Sequence, residues 1–117
     1  MKNLYGVNRL LPIILLAGGM VGGCGLKSAH TPLRVEITIQ QMQFTPSEVE
    51  VYMGDTVVFV NKGIVTHDVT GEAGEAWTSG PIPAGHTFEL IAKENLPYYC
   101  SFHPTMKGSI SVLPKND

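Results

Sequence analysis

From Leu33 onward the chain changes character every two residues, which excludes a helical domain before anything else is counted. Leu33, Val35, Ile37 and Ile39 alternate with Arg34, Glu36, Thr38 and Gln40, the period of a strand with one face buried. Val49 and Val51 alternate with Glu48, Glu50 and Tyr52, and a turn at Gly54-Asp55 follows. Thr56 to Val60 is β-branched and aromatic throughout, as suits a strand covered on both faces, and Asn61-Lys62-Gly63 breaks it. Shorter candidates recur at Thr66–Thr70, Thr87–Ile91, Tyr98–Cys100 and Ser109–Leu113, separated by Gly and Pro clusters such as Ser79-Gly80-Pro81-Ile82-Pro83-Ala84-Gly85. No segment carries a 3.6-residue apolar period with caps. Seven to eight short strands predict an all-β protein, a two-sheet sandwich or small barrel.

Composition narrows the function classes. The chain has 117 residues, so one domain is expected, and its formal net charge of −2 with no Lys/Arg cluster excludes the basic footprint of a nucleic-acid binder. A hydrophobic fraction of 44% is too high for a disordered chain, and two cysteines cannot build a multi-disulfide scaffold.

The N-terminus reads as a targeting segment. Lys2 and Arg9 are the only charges in the first 26 residues, and the apolar run from Leu10 to Val21 is about 12 residues, short of the ~20 a membrane-spanning helix needs. Val21-Gly22-Gly23-Cys24 looks like a bacterial lipobox, in which the cysteine is lipidated and residues 1–23 are removed. Residues 24–32 then form a lipidated cysteine and short tether, and 33–117 the folded domain. His30, in the tether, is left outside any metal site. The expected location is outside the cytoplasm, on the periplasmic or extracellular face of a membrane.

The chemistry is concentrated in Tyr98-Tyr99-Cys100-Ser101-Phe102-His103-Pro104-Thr105-Met106-Lys107-Gly108, where Cys, His and Met recur at intervals of three in a predicted loop between strands. A thiolate and an imidazole suit a soft or borderline metal, and a thioether suits copper. A trigonal site needs a second imidazole, and His67, 33 residues before Cys100, sits beside a predicted strand. A Cys24–Cys100 disulfide would leave the His and Met spacing unused, and a Cys/His nucleophile pair lacks an orienting group. Zinc has little use for a methionine and no electron-transfer chemistry.

Cys100-x-x-His103-x-x-Met106 with the upstream His67-Asp68-Val69 resembles the cupredoxins of the plastocyanin and amicyanin group. The two-residue gap between His103 and Met106 is similar to that of amicyanin. Phe44-x-Pro46, Gly54-Asp55-Thr56-Val57, Phe59-x-Asn61, Phe88 and Lys107-Gly108 extend the likeness over roughly Leu33 to Leu113. The resemblance implies a Greek-key β-sandwich holding one type 1 copper ion through His67, Cys100, His103 and, weakly, Met106. It implies a one-electron carrier, not an enzyme, working with redox partners such as a cytochrome c or a copper- or quinone-dependent oxidoreductase. A copper-delivery protein on the same fold is the alternative. His103 would be the electron port, in an apolar patch flanked by Phe102 and Pro104.

Two positions depart from the family pattern. Asp68 stands where asparagine usually ties the ligand loops together; lacking amide donors, it must be replaced by another donor or point to solvent. Phe102 stands where proline is usual, so an N–H is expected near the Cys100 sulfur, and Phe102→Pro is expected to lower the reduction potential. His86 is expected at the surface, Met42 and Met53 in core or strand-face packing, and Trp77 as a cap or loop anchor. Glu72 and Glu75 share its loop and are expected to be solvated.

Overall fold

The computed structural model describes residues 30–72 and 77–115. The expected signal segment, Cys24, most of the expected tether and Glu75 lie outside the described residues. Eight strands form: β1 (Arg34–Gln40), β2 (Gln43–Thr45), β3 (Glu48–Tyr52), β4 (Thr56–Asn61), β5 (Thr70–Gly71), β6 (Thr87–Ile91), β7 (Leu96–Cys100) and β8 (His103–Leu113). They make two four-stranded sheets, ordered β2-β1-β4-β6 and β3-β8-β7-β5. The all-β sandwich expected from the two-residue period is the fold.

Each sheet is anchored by a parallel pair. β1 runs beside β4 from Arg34↔Thr56 to Ile39↔Asn61, and β3 runs beside β8 from Glu48↔Ser109 to Tyr52↔Leu113. The inward residues of the alternating strands meet between the sheets: Ile37, Ile39, Val51, Val57, Phe59, Tyr98 and Ile110 are all at most 3% exposed. The Phe44 and Phe59 rings meet the Tyr98 ring nearly at right angles, at centroid distances of 4.8 and 5.3 Å. Such edge-to-face pairs add to the area burial of the rings.

Several expectations need correction. β2 was not foreseen, because its turn carries no Gly or Asn: Gln41 and Met42 adopt φ of 54° and 59° and close a two-residue hairpin from residues that disfavour it. Met42 and Met53 are 46% and 44% exposed, not core. Leu33 lies ahead of the ladder and is 57% exposed. Of the candidate strand at Thr66–Thr70, only Thr70 joins β5, while His67 makes a single bridge to Ile82. Trp77 anchors its loop, accepting a hydrogen bond from Gly71 N–H at 2.9 Å and packing on Phe88 at 6.1 Å.

The strands run between two poles. At one lies Asp55, 2% exposed, whose carboxylate accepts hydrogen bonds from Leu33 N–H and Tyr52 N–H, each at 2.9 Å, and meets His30 Nε2 at 2.7 Å. Burial pushes the Asp55 carboxyl up, but these hydrogen bonds outweigh it and hold the group below the usual carboxylate range. The His30 ring also packs on Tyr52 at 4.4 Å, so this end of the expected tether is fastened to the domain. At the other pole lie the β1–β2 turn, the segment Lys62–His67 and the β7–β8 turn.

Candidate metal centre

Cys100 closes β7 and His103 opens β8. Only Ser101 and Phe102 separate them, so a two-residue turn makes Cys100 and His103 cross-strand partners. That is the local reason for the x-x spacing. The expected loop is therefore a hairpin: His103 and Met106 belong to β8 itself. Beyond the turn the register jumps from Cys100↔His103 to Tyr99↔Lys107, leaving Pro104, Thr105 and Met106 without partners on β7. Pro104 has no N–H to give a ladder, which suits it to this bulge. Met106 is folded back and buried, 3% exposed, in the core cluster that contains Cys100.

His67 arrives from the other side. Its backbone pairs with Ile82 through hydrogen bonds of 3.2 and 2.7 Å. The approach is fixed by Asn61, which is fully buried at the end of β4. Its amide Nδ2 donates to Val65 C=O and Ile82 C=O, each at 2.8 Å, and its Oδ1 accepts from Gly63 N–H at 2.9 Å. One side chain thus joins the turn leading to His67 to the segment that brackets it. In the sequence Asn61 reads only as a strand breaker and a family feature; the signal available was a polar residue closing the apolar run Val57-Val58-Phe59-Val60, which burial obliges to find partners. Asn61→Asp would replace two donors with acceptors facing two carbonyl oxygens. It is expected to cost about 2–4 kcal/mol in denaturant unfolding and to weaken metal binding in a competition titration. A variant as stable as the parent would overturn this role.

His67, Cys100 and His103 converge, with ligating atoms all within 4.8 Å of one another. The two imidazole Nδ1 atoms each lie 3.7 Å from Cys100 Sγ, and the rings are 5.0 Å apart. Bonds of about 2.0 Å to nitrogen and about 2.3 Å to sulfur, opened to a trigonal angle, separate N and S by about 3.7 Å. The donors therefore fit one ion in a trigonal plane. Burial foremost, then the neighbouring His103, hold the His67 imidazolium below its usual range, with Asp68 opposing. Burial and His103 thus favour the neutral imidazole, the form with a lone pair for a metal.

Comparison with known proteins agrees. Residues 31–87 match the copper-binding proteins of the plastocyanin/azurin family, a span that includes His67 and ends before Cys100. The folded region superposes on a reduced proline-to-phenylalanine variant of amicyanin with a TM-score of 0.62 and 27% identity, covering 68% of this chain and 81% of that one. The fold is that of the cupredoxins. A purple cupredoxin from Nitrosopumilus maritimus is also similar, with a TM-score of 0.62, 26% identity and coverage of 68% and 99%. Amicyanin of Paracoccus denitrificans is 29% identical over 84 residues, 67% of this chain; the chain spans 64% of the length of that relative. The His-Cys-His set, with Met106 beside it in sequence, is the type 1 copper pattern, and copper is the cofactor of this family.

The two departures resolve differently. Asp68 does not point to solvent; it is 4% exposed and accepts hydrogen bonds from Ser101. The backbone donor at the Cys100 sulfur is Asp68 N–H, at 3.5 Å, and among the described residues Phe102 N–H makes no such bond. Phe102 is 51% exposed. The ground for expecting Phe102→Pro to lower the potential is therefore missing. His86 is exposed, as expected. Glu72 is not a free charge: it pairs with Lys107 at 2.9 Å.

Proposed function

We propose that this chain is a cupredoxin acting as a one-electron carrier, holding a single copper ion through His67, Cys100, His103 and Met106. The observation that carries the reading is the converged triangle of two imidazoles and one buried thiol, with ligating atoms within 4.8 Å. Bound there, copper would supply the one-electron couple between Cu(II) and Cu(I). The chain's contribution is to hold the donors still. Cys100 and His103 are fixed by the hairpin ladder and His67 by its bridge to Ile82 and by Asn61, so little of the shell needs to reorganise when the charge changes.

The two histidines differ in access. His67 is 1% exposed, while His103 is half-buried and forms the way out. The same pole carries Ile64, Val65, Met42 and Phe102, exposed by 93%, 43%, 46% and 51%. The nearest exposed lysines, Lys62 and Lys107, are paired with Glu36 and Glu72. An apolar face with its charges neutralised suits brief contact with a redox protein, such as a cytochrome c or a copper- or quinone-dependent oxidoreductase. We place the protein outside the cytoplasm, anchored through lipid on Cys24, on the strength of the lipobox-like sequence.

Titrating the purified protein with Cu(II) tests the carrier reading. One equivalent should produce an intense visible band that bleaches with ascorbate and returns with ferricyanide. A colourless complex would overturn it. Preferential Cu(I) binding with rapid release to a chelator would favour delivery instead. Mass spectrometry of membrane-extracted protein should find a mature N-terminus at acylated Cys24; an unmodified Cys24 would remove the anchor.

A further inference from the structure

Asp68 follows the first ligand candidate and Ser101 follows the cysteine. Asp68 Oδ1 accepts from Ser101 N–H at 2.6 Å, and Oδ2 accepts from Ser101 Oγ–H at 2.5 Å. The two ligand-bearing segments, 33 residues apart in sequence, are thus riveted together one residue beyond His67 and Cys100. Asp68 N–H reaches back to Cys100 Sγ at 3.5 Å. Asp68 is 4% exposed, and among the described residues no lysine or arginine stands within ion-pair distance of it. Both carboxylate oxygens act as acceptors, an arrangement that fits the anion. Its field already opposes the effect of burial on His67.

We infer that Asp68 is a positioning residue whose buried charge, absent from the asparagine usual at this position, lowers the reduction potential of the site, an effect separable from its clamping of the ligand segments through Ser101. The inference rests on the copper reading above. An oxidised site carries one more positive charge than a reduced one. An unneutralised negative charge nearby, poorly screened because it is buried, therefore favours the oxidised form. The clamp needs only hydrogen bonds. The potential needs the charge, so the two effects come apart under mutation.

Asp68→Asn removes the charge and keeps the shape. Its Oδ1 can still accept from Ser101 N–H, while Nδ2 donates to a Ser101 hydroxyl turned the other way. Ser101→Ala removes one strand of the clamp and keeps the charge. Cyclic voltammetry of the copper-loaded proteins should show Asp68→Asn raising the Cu(I):Cu(II) ratio at fixed potential about tenfold, which is about 59 mV for one electron. Ser101→Ala should move the potential by less than a third of that while lowering the melting temperature of the metal-free protein. Asp68→Ser, also neutral, must shift the potential in the same direction, and serves if the asparagine variant folds poorly. Neutral variants that bind copper with the parent's spectrum but an unchanged or lower potential would overturn the charge effect and leave the copper site intact. A parent without any copper couple would overturn both. Unchanged melting in Ser101→Ala would overturn the clamp.

Discussion

Cys100→Ser is expected to abolish the intense visible band of the copper-loaded protein while leaving the sandwich folded. The thiol is fully buried, with an imidazole Nδ1 at 3.7 Å on either side, so any ion held by both histidines must also meet the sulfur. A thiolate is a soft, polarizable donor that gives electron density to Cu(II) on absorbing visible light; a serine hydroxyl is neutral at this pH and far less polarizable. Copper affinity should fall by more than about 100-fold, since a charged ligand is lost as well as a soft one. The fold should tolerate the change because serine is smaller and Asp68 N–H remains in place to donate to its oxygen. Far-UV circular dichroism should therefore match the parent while the absorption spectrum goes blank. A variant that kept the band would show that the sulfur is not a ligand and would remove the basis for the carrier reading.

Gly108→Ala is expected to cost about 3 kcal/mol or more, lowering the melting temperature by more than about 10 °C. Gly108 pairs with Tyr98 across β7 and β8, and the outer atoms of the phenol ring fill the space a side chain at 108 would take. A Cβ on residue 108 would come within 2.8 Å of Tyr98 Cε1 and nearer still to its Cζ and hydroxyl. Tyr98 cannot retreat, because it is fully buried against Phe44 and Phe59. The strain would reach the metal end directly, since Tyr98 stands two residues before Cys100 on the same strand. In a Tyr98→Leu background, where the outer ring atoms are gone, alanine at 108 should cost less than about 1 kcal/mol. A single variant that melts with the parent, or a double variant showing no relief, would contradict this packing account.

What the sequence revealed follows the reach of each signal. β1 and β6 were legible because their alternation comes from one buried face, which a local window can see. β2 was not, because three residues carry no period and the Gln41-Met42 turn lacks the usual turn residues. Cys100, His103 and Met106 could be read as a set from spacing alone, and His67 by the need for a second imidazole. The three-residue offset that buries Met106 could not, since register depends on what β7 offers across the ladder. Asn61 and Asp68 were visible as residues but not as roles. Their partners, Ile82 and Ser101, lie 21 and 33 positions away, and only the closed sandwich brings them together.

The fastening of His30 to Asp55 and Tyr52 has a directional consequence. Asp55 precedes the first residue of β4 and Asn61 is its last, so His30 and the copper site stand at opposite ends of a six-residue strand, about 17–20 Å apart. His30, the first described residue, is therefore held at the pole opposite the His67, Cys100 and His103 cluster. The exposed apolar residues of the His103 pole, Phe102 and Ile64 among them, are thereby kept clear of the His30 fastening.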